Sequence, residues 1–189
     1  LFKKQRDAVG LSLFTDNVDF HSQCKTTNSH HLLLKRELVK VINSKVDFKK
    51  TSSVGVIHEI ANKLNRRSLI LFFTDMLEGI DNMDGIFSAF QHLKFNKHEV
   101  IIFHLSDNKT EFNLDFPNLP HKFIDIETNE DIELNPLEIK DRYVELTNSF
   151  LKELKIRCLQ HKIDLVNIDI NLGVEQILSS YLLKRQKMF

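Results

Sequence analysis

Glycine is scarce in this chain of 189 residues: there are five, at Gly10, Gly55, Gly79, Gly85 and Gly173. Neither G-x-G-x-x-G nor G-x-x-x-x-G-K-[ST] can be written with them, so the two commonest loops that cradle phosphate are missing. Two cysteines, Cys24 and Cys158, stand far apart with no C-x-x-C spacing, which points to buried thiols in a reducing, cytoplasmic setting. No charge of one sign dominates, because 26 Lys and Arg face 26 Asp and Glu. A general nucleic-acid binder normally carries a basic excess on one face, so that class is set aside. Apolar runs stop short of the roughly 18 residues a membrane-spanning helix needs, and no charged-then-apolar leader precedes the first apolar stretch. Tryptophan is absent and proline occurs three times, yet phenylalanine occurs 15 times, and hydrophobic residues make up 42% of the chain. That is an ordinary core-forming composition, and the length suggests one domain.

The apolar pattern alternates strand and helix. Ala8 to Phe14 and Val18 to Gln23 read as a hairpin turning at Asp16-Asn17. His30 to Asn43 has Leu33, Leu34, Leu38, Val41 and Ile42 at helical spacing. A second helix opens at Thr51-Ser52-Ser53, whose hydroxyls suit a cap, and carries Val56, Ile57, Ile60 and Leu64. Ser68 to Thr74 and Glu99 to Leu105 are nearly continuous apolar runs, as in strands covered on both faces, and a helix near Met83 to Phe95 joins them. Asn108 to Asn135 reads as an excursion with a small strand pair around Thr128-Asn129. Pro136 suits the first position of a long helix to about Lys162, with Leu137, Val144, Leu151 and Leu154 on its core face. A strand at Asp164 to Ile170, a break at Asn171-Leu172-Gly173 and a helix ending in Lys184, Arg185 and Lys187 close the order. Those last charges suit a helix C-terminus. The whole predicts an α/β fold with a mainly parallel sheet.

In such sheets ligands bind beyond the carboxyl ends of the strands. Asp75, Asp107 and the loop before the second helix are the residues to weigh. Asp75 and Thr51 together offer hard oxygen ligands of the kind Mg2+ takes. The plainer reading of the same residues is a strand-ending aspartate and a helix-capping threonine. A second chemical reading has Asp75 and Asp107 holding Mg2+ for hydrolysis or phosphoryl transfer. That reading lacks a general base, a nucleophile and a glycine-rich loop. The nine histidines lack metal-ligand spacing: His58-Glu59 is followed by Asn62 where a zincin helix needs histidine, and His30-His31 belong to a helix start. They read as surface or packing residues.

Arg6-Asp7-Ala8-Val9-Gly10-Leu11 with Phe14, Thr51, Asn65-Arg66-Arg67-Ser68, Thr74-Asp75-Met76, His98-Glu99-Val100 through His104-Leu105, and Asp125-Ile126-Glu127-Thr128 form an ordered set. From Gln5 to near Leu183 the chain resembles the C-terminal part of the bacterial domain-of-unknown-function family number fifty-eight, of the von Willebrand factor A-like fold. The resemblance implies a three-layer, doubly wound, mostly parallel sheet of six strands with an antiparallel edge strand. It also implies a metal-ion-dependent adhesion site in which Thr51 and Asp75 are Mg2+ ligands. No Asp-x-Ser-x-Ser occurs in the sequence, and Ser52 stands where family members often have aspartate. The resemblance therefore places the remaining ligands, with a first strand and helix, upstream of Leu1. The function it implies is non-enzymatic protein binding, as an accessory of a MoxR-type AAA+ ATPase or of another von Willebrand A domain protein.

Overall fold

The structure is a computed structural model that describes residues 6–44, 53–64, 67–76, 79–125, 130–173 and 175. Thr51 and Ser52, the tip of the small strand pair and the terminal helix lie outside the described residues.

Three parallel strands form the centre in the order β3-β4-β7: β3 (Leu69–Thr74), β4 (Glu99–Ser106) and β7 (Asp164–Asp169). Their near-continuous apolar sequences suit this position, because side chains alternate between two faces and both faces are apolar. Ile70 and Phe72 of β3 and Val100 and Ile102 of β4 enter the main core with residues of three helices. These helices are α2 (Ser53–Lys63), α3 (Gly79–Phe95) and α4 (Pro136–Gln160). Leu69, Leu71, Ile101, Phe103, Val166 and Ile168 make a second cluster on the alternate positions.

Two antiparallel pairs stand apart from this sheet: β1 (Ser12–Phe14) with β2 (Val18–His21), and β5 (His121–Ile124) with β6 (Asp131–Leu134). The expected hairpin at Asp16-Asn17 is present, with a bulge where Phe14 pairs with Val18. It is a separate two-stranded sheet and not an edge of the parallel one, and β3 is an outer strand among the described residues. Phe14 still reaches the core, its ring stacked on Phe72 at 5.7 Å. His30, in α1 (Asn28–Asn43), is buried and its Nε2 lies 2.9 Å from the Val9 carbonyl oxygen. Thr27 caps α1 by accepting from the His30 N–H.

Other expectations fare unevenly. The helix placed near Met83 to Phe95 starts earlier, at Gly79, but Asn82 is non-helical (φ −139°, ψ 45°). Asn82 Oδ1 accepts from the Gly85 N–H at 3.2 Å, so it caps a fresh helix from Met83. Pro136 is the first helical residue of α4, after an Asn135 cap. Leu154 is fully buried, Val144 and Leu151 are half-buried, and Leu137, expected on the core face, is 48% exposed. Leu137 sits in the first turn, well before the stretch where Leu154 and Cys158 meet the main core. On α1, Leu34 is buried, and Leu38, Val41 and Ile42, which share its helical spacing, are exposed. Cys158 is buried as expected, whereas Cys24 is exposed.

Candidate functional site

The carboxyl ends of the three parallel strands each deliver an aspartate. Thr74 lies level with His104, and Ser106 level with Asp169, so Asp75, Asp107 and Asp169 all fall at one edge of the sheet. Their local chemistry differs.

At the end of β3, the Thr74 hydroxyl oxygen accepts from the Met76 N–H at 2.9 Å, closing a tight turn around Asp75. Met76 adopts a left-handed conformation (φ 58°) and is 2% exposed, packed in the main core. A buried, conformationally strained methionine directly after Asp75 anchors the turn and leaves the aspartate itself exposed. From β4, His104 Nε2 donates to the Asp75 carbonyl oxygen at 3.1 Å. Burial is the main influence on the His104 ring and lowers its pKa, against the opposing pull of the Asp75 carbonyl, the Asn167 amide and the charges of Asp75 and Glu111. The neutral ring thus braces the main chain that carries Asp75.

Asp107 is committed to local structure. Its Oδ1 accepts from the N–H groups of Lys109 (2.9 Å) and Thr110 (3.4 Å) and from Asn171 Nδ2 (2.9 Å). It caps a π-helical turn at Asn108–Phe112, whose Glu111 returns a carboxylate oxygen to the Asp107 N–H at 3.0 Å. This reciprocal arrangement resembles a capping box. Partial burial pushes the Asp107 carboxyl up, but the hydrogen bonds from Thr110, Lys109 and Asn171 outweigh it and hold the group below its ordinary value. Asn171 Nδ2 also donates to Asp169 Oδ1 at 3.0 Å, so one amide clamps two neighbouring strand-end carboxylates.

Of the residues singled out from sequence, Asp75 and Asp107 therefore share the expected edge, and Thr51 lies outside the described residues. Asp169, Asn171 and His104 were not singled out. Two features could have pointed to them: an aspartate ends all three parallel strands, and His104 is a polar residue inside an otherwise apolar run. Among the described residues, no group of three His, Cys, Asp or Glu side chains could hold a metal ion. The described donors make no complete Mg2+ shell by themselves: Asp75 supplies one carboxylate, and Asp107 Oδ1 is taken up by two N–H groups and Asn171. Among the described residues, no helix is long and apolar enough to cross a membrane.

Comparison with known proteins adds no relative. No family model, no curated protein and no solved structure matches the chain. The parallel β3-β4-β7 sheet, the aspartates at its carboxyl edge and the separate hairpins remain the firm ground for a functional reading.

Proposed function

We propose that the chain is a von Willebrand factor A-like protein-interaction module of the domain-of-unknown-function family number fifty-eight. In this reading it serves a MoxR-type AAA+ ATPase, or another von Willebrand A domain protein, in assembling or remodelling complexes in the cytoplasm. The observation that carries the reading is the setting of Asp75. It is exposed at the carboxyl edge of a parallel sheet, held by a strained turn and a buried histidine, which is where the resembling fold carries an aspartate ligand of its adhesion site. A rigid, exposed carboxylate suits recognition by charge, whether a basic group or a cation meets it.

The hydrolase alternative asks Asp107 to work beside Asp75, and the three hydrogen bonds on Asp107 Oδ1 weigh against it. Binding to a purified MoxR-type ATPase, measured with Mg2+, with EDTA and with Asp75→Ala, tests the proposal. Retention that drops at least tenfold in Asp75→Ala supports it, and the EDTA arm reports whether a cation takes part. Undiminished binding by Asp75→Ala, or Asp75-dependent turnover of phosphoesters with Mg2+ or Mn2+, overturns it.

A further inference from the structure

The two helices α2 and α3, which cover the same face of the sheet, bring two histidines together that the sequence separates. His58 Nδ1 lies 3.0 Å from His92 Nδ1. The ring centroids are 5.3 Å apart and the planes are inclined by 40°, so the rings meet end to end, nitrogen facing nitrogen. Both rings are half-buried and open to water. Their backbone positions are fixed by the core: His58 adjoins buried Ile57, His92 adjoins buried Leu93, and Asn96 Nδ2 donates to the Ala61 carbonyl oxygen at 3.3 Å across the same helix pair.

We propose that His58 and His92 form a two-imidazole binding site for a divalent transition-metal ion, with Cu2+ or Ni2+ as the best fit. Imidazole is a good ligand for these ions. Two nitrogens 3.0 Å apart, each about 2.0 Å from one ion, subtend about 97° at it. That is close to the right angle between neighbouring ligands in a tetragonal site, and tighter than a tetrahedral zinc site prefers. The separation is therefore already suitable, and binding asks for a swing of the rings about χ2, a soft torsion in histidine. Without metal, one ring donates its Nδ1 proton to the other. With metal, both Nδ1 lone pairs turn to the ion and both rings carry their proton on Nε2. In the metal-bound form both rings are neutral, the donating ring having passed its Nδ1 proton to solvent and taken one on Nε2. Water fills the remaining positions. The ion would tie α2 to α3, and the site is independent of the strand-end aspartates and of the function proposed for them.

The test uses Cu2+ alone, titrated into the full chain in a weakly coordinating buffer, with Ni2+ as a second probe. One equivalent binds, the melting temperature rises by several degrees because the ion favours the folded state, and His58→Ala and His92→Ala each weaken binding at least tenfold. The double variant loses less than the product of the two single losses, since both histidines serve one ion, and His31→Ala behaves as the unchanged chain. Binding within twofold of the unchanged chain in either single variant overturns the proposal. Pulsed electron paramagnetic resonance of the Cu2+-loaded unchanged chain needs no variant: two equatorial imidazole nitrogens support the site, and one or none overturns it.

Discussion

His104 Nε2 lies 3.1 Å from the carbonyl oxygen of Asp75, and the ring is 3% exposed. His98 is buried likewise, with its Nδ1 accepting from the Ser68 N–H at 3.2 Å. Desolvation lowers the pKa of both rings from the ordinary 6.5. The folded state therefore holds both neutral while the unfolded chain protonates them first. Stability is fully present above about pH 6.5 and is lost as the pH falls through that value toward the lower folded-state pKa values. Urea unfolding at pH 7.5 and pH 5.5 checks this: the midpoint drops at the lower pH. His104→Gln, which keeps an N–H donor but cannot take up a proton, shrinks the drop. An equal drop in the variant would clear His104 of the effect.

Helices α3 and α4 end in the same way, and that way is improvable. In α3 the Lys97 N–H bonds the Lys94 carbonyl and the His98 N–H bonds the Leu93 carbonyl; in α4 Lys162 bonds Leu159 and Ile163 bonds Cys158. These are Schellman motifs, and each leads straight into a strand of the sheet. The left-handed position, φ 63° in one and 54° in the other, is filled by lysine where glycine is most at ease. Relieving a left-handed side chain is worth about 1 kcal/mol. Lys97→Gly and Lys162→Gly should each raise the unfolding free energy by about that much, measured by denaturant titration, and their effects should add because the sites share no partner.

Much of this architecture was legible because it depends on local pattern. The continuous apolar runs at Leu69 to Thr74 and Glu99 to Leu105 announce buried parallel strands, Pro136 announces a helix start, and the helix expected from Met83 begins anew at the Asn82 cap. What stayed hidden depends on tertiary approach. Asn171 joins Asp107 across 64 positions, and His58 joins His92 across 34. A search for histidines one helical turn apart cannot find a pair split between two helices. Exposure of Leu137 and of Leu38, Val41 and Ile42 escaped for a related reason: helical spacing defines a face but not which part of it another element covers.

The two cysteines should differ sharply in reactivity. Burial pushes the Cys158 thiol up to about 12, so thiolate is scarce there, and the side chain is 1% exposed. Cys24 is exposed. A thiol reagent applied to the native chain at pH 8 labels one cysteine, identified by peptide mapping as Cys24, and labels both in denaturant. Rapid native labelling of Cys158 would mean that α4 opens readily from the core.

Two glycines carry opposite expectations under the same substitution. A methyl group on Gly10 would sit 2.8 Å from the Ser22 carbonyl oxygen and 3.1 Å from Cys24 Sγ. Ser22 is backbone in the β1-β2 region, held by the Ser22 N–H to Leu11 carbonyl bond at 2.9 Å, so it yields only if the hairpin shifts. Overpacking of this kind costs about 1–3 kcal/mol, and Gly10→Ala should lose that much. Gly55 lies exposed within α2, and nothing stands within 4 Å of its added methyl. Glycine in a helix interior is less favourable than alanine by about 1 kcal/mol, and Gly55 is in the first turn of the described helix, so Gly55→Ala should gain a part of that amount. Denaturant midpoints of the two variants, measured side by side, should move in opposite directions. A neutral Gly10→Ala would show that the approach of Gly10 to Ser22 is looser than this geometry requires.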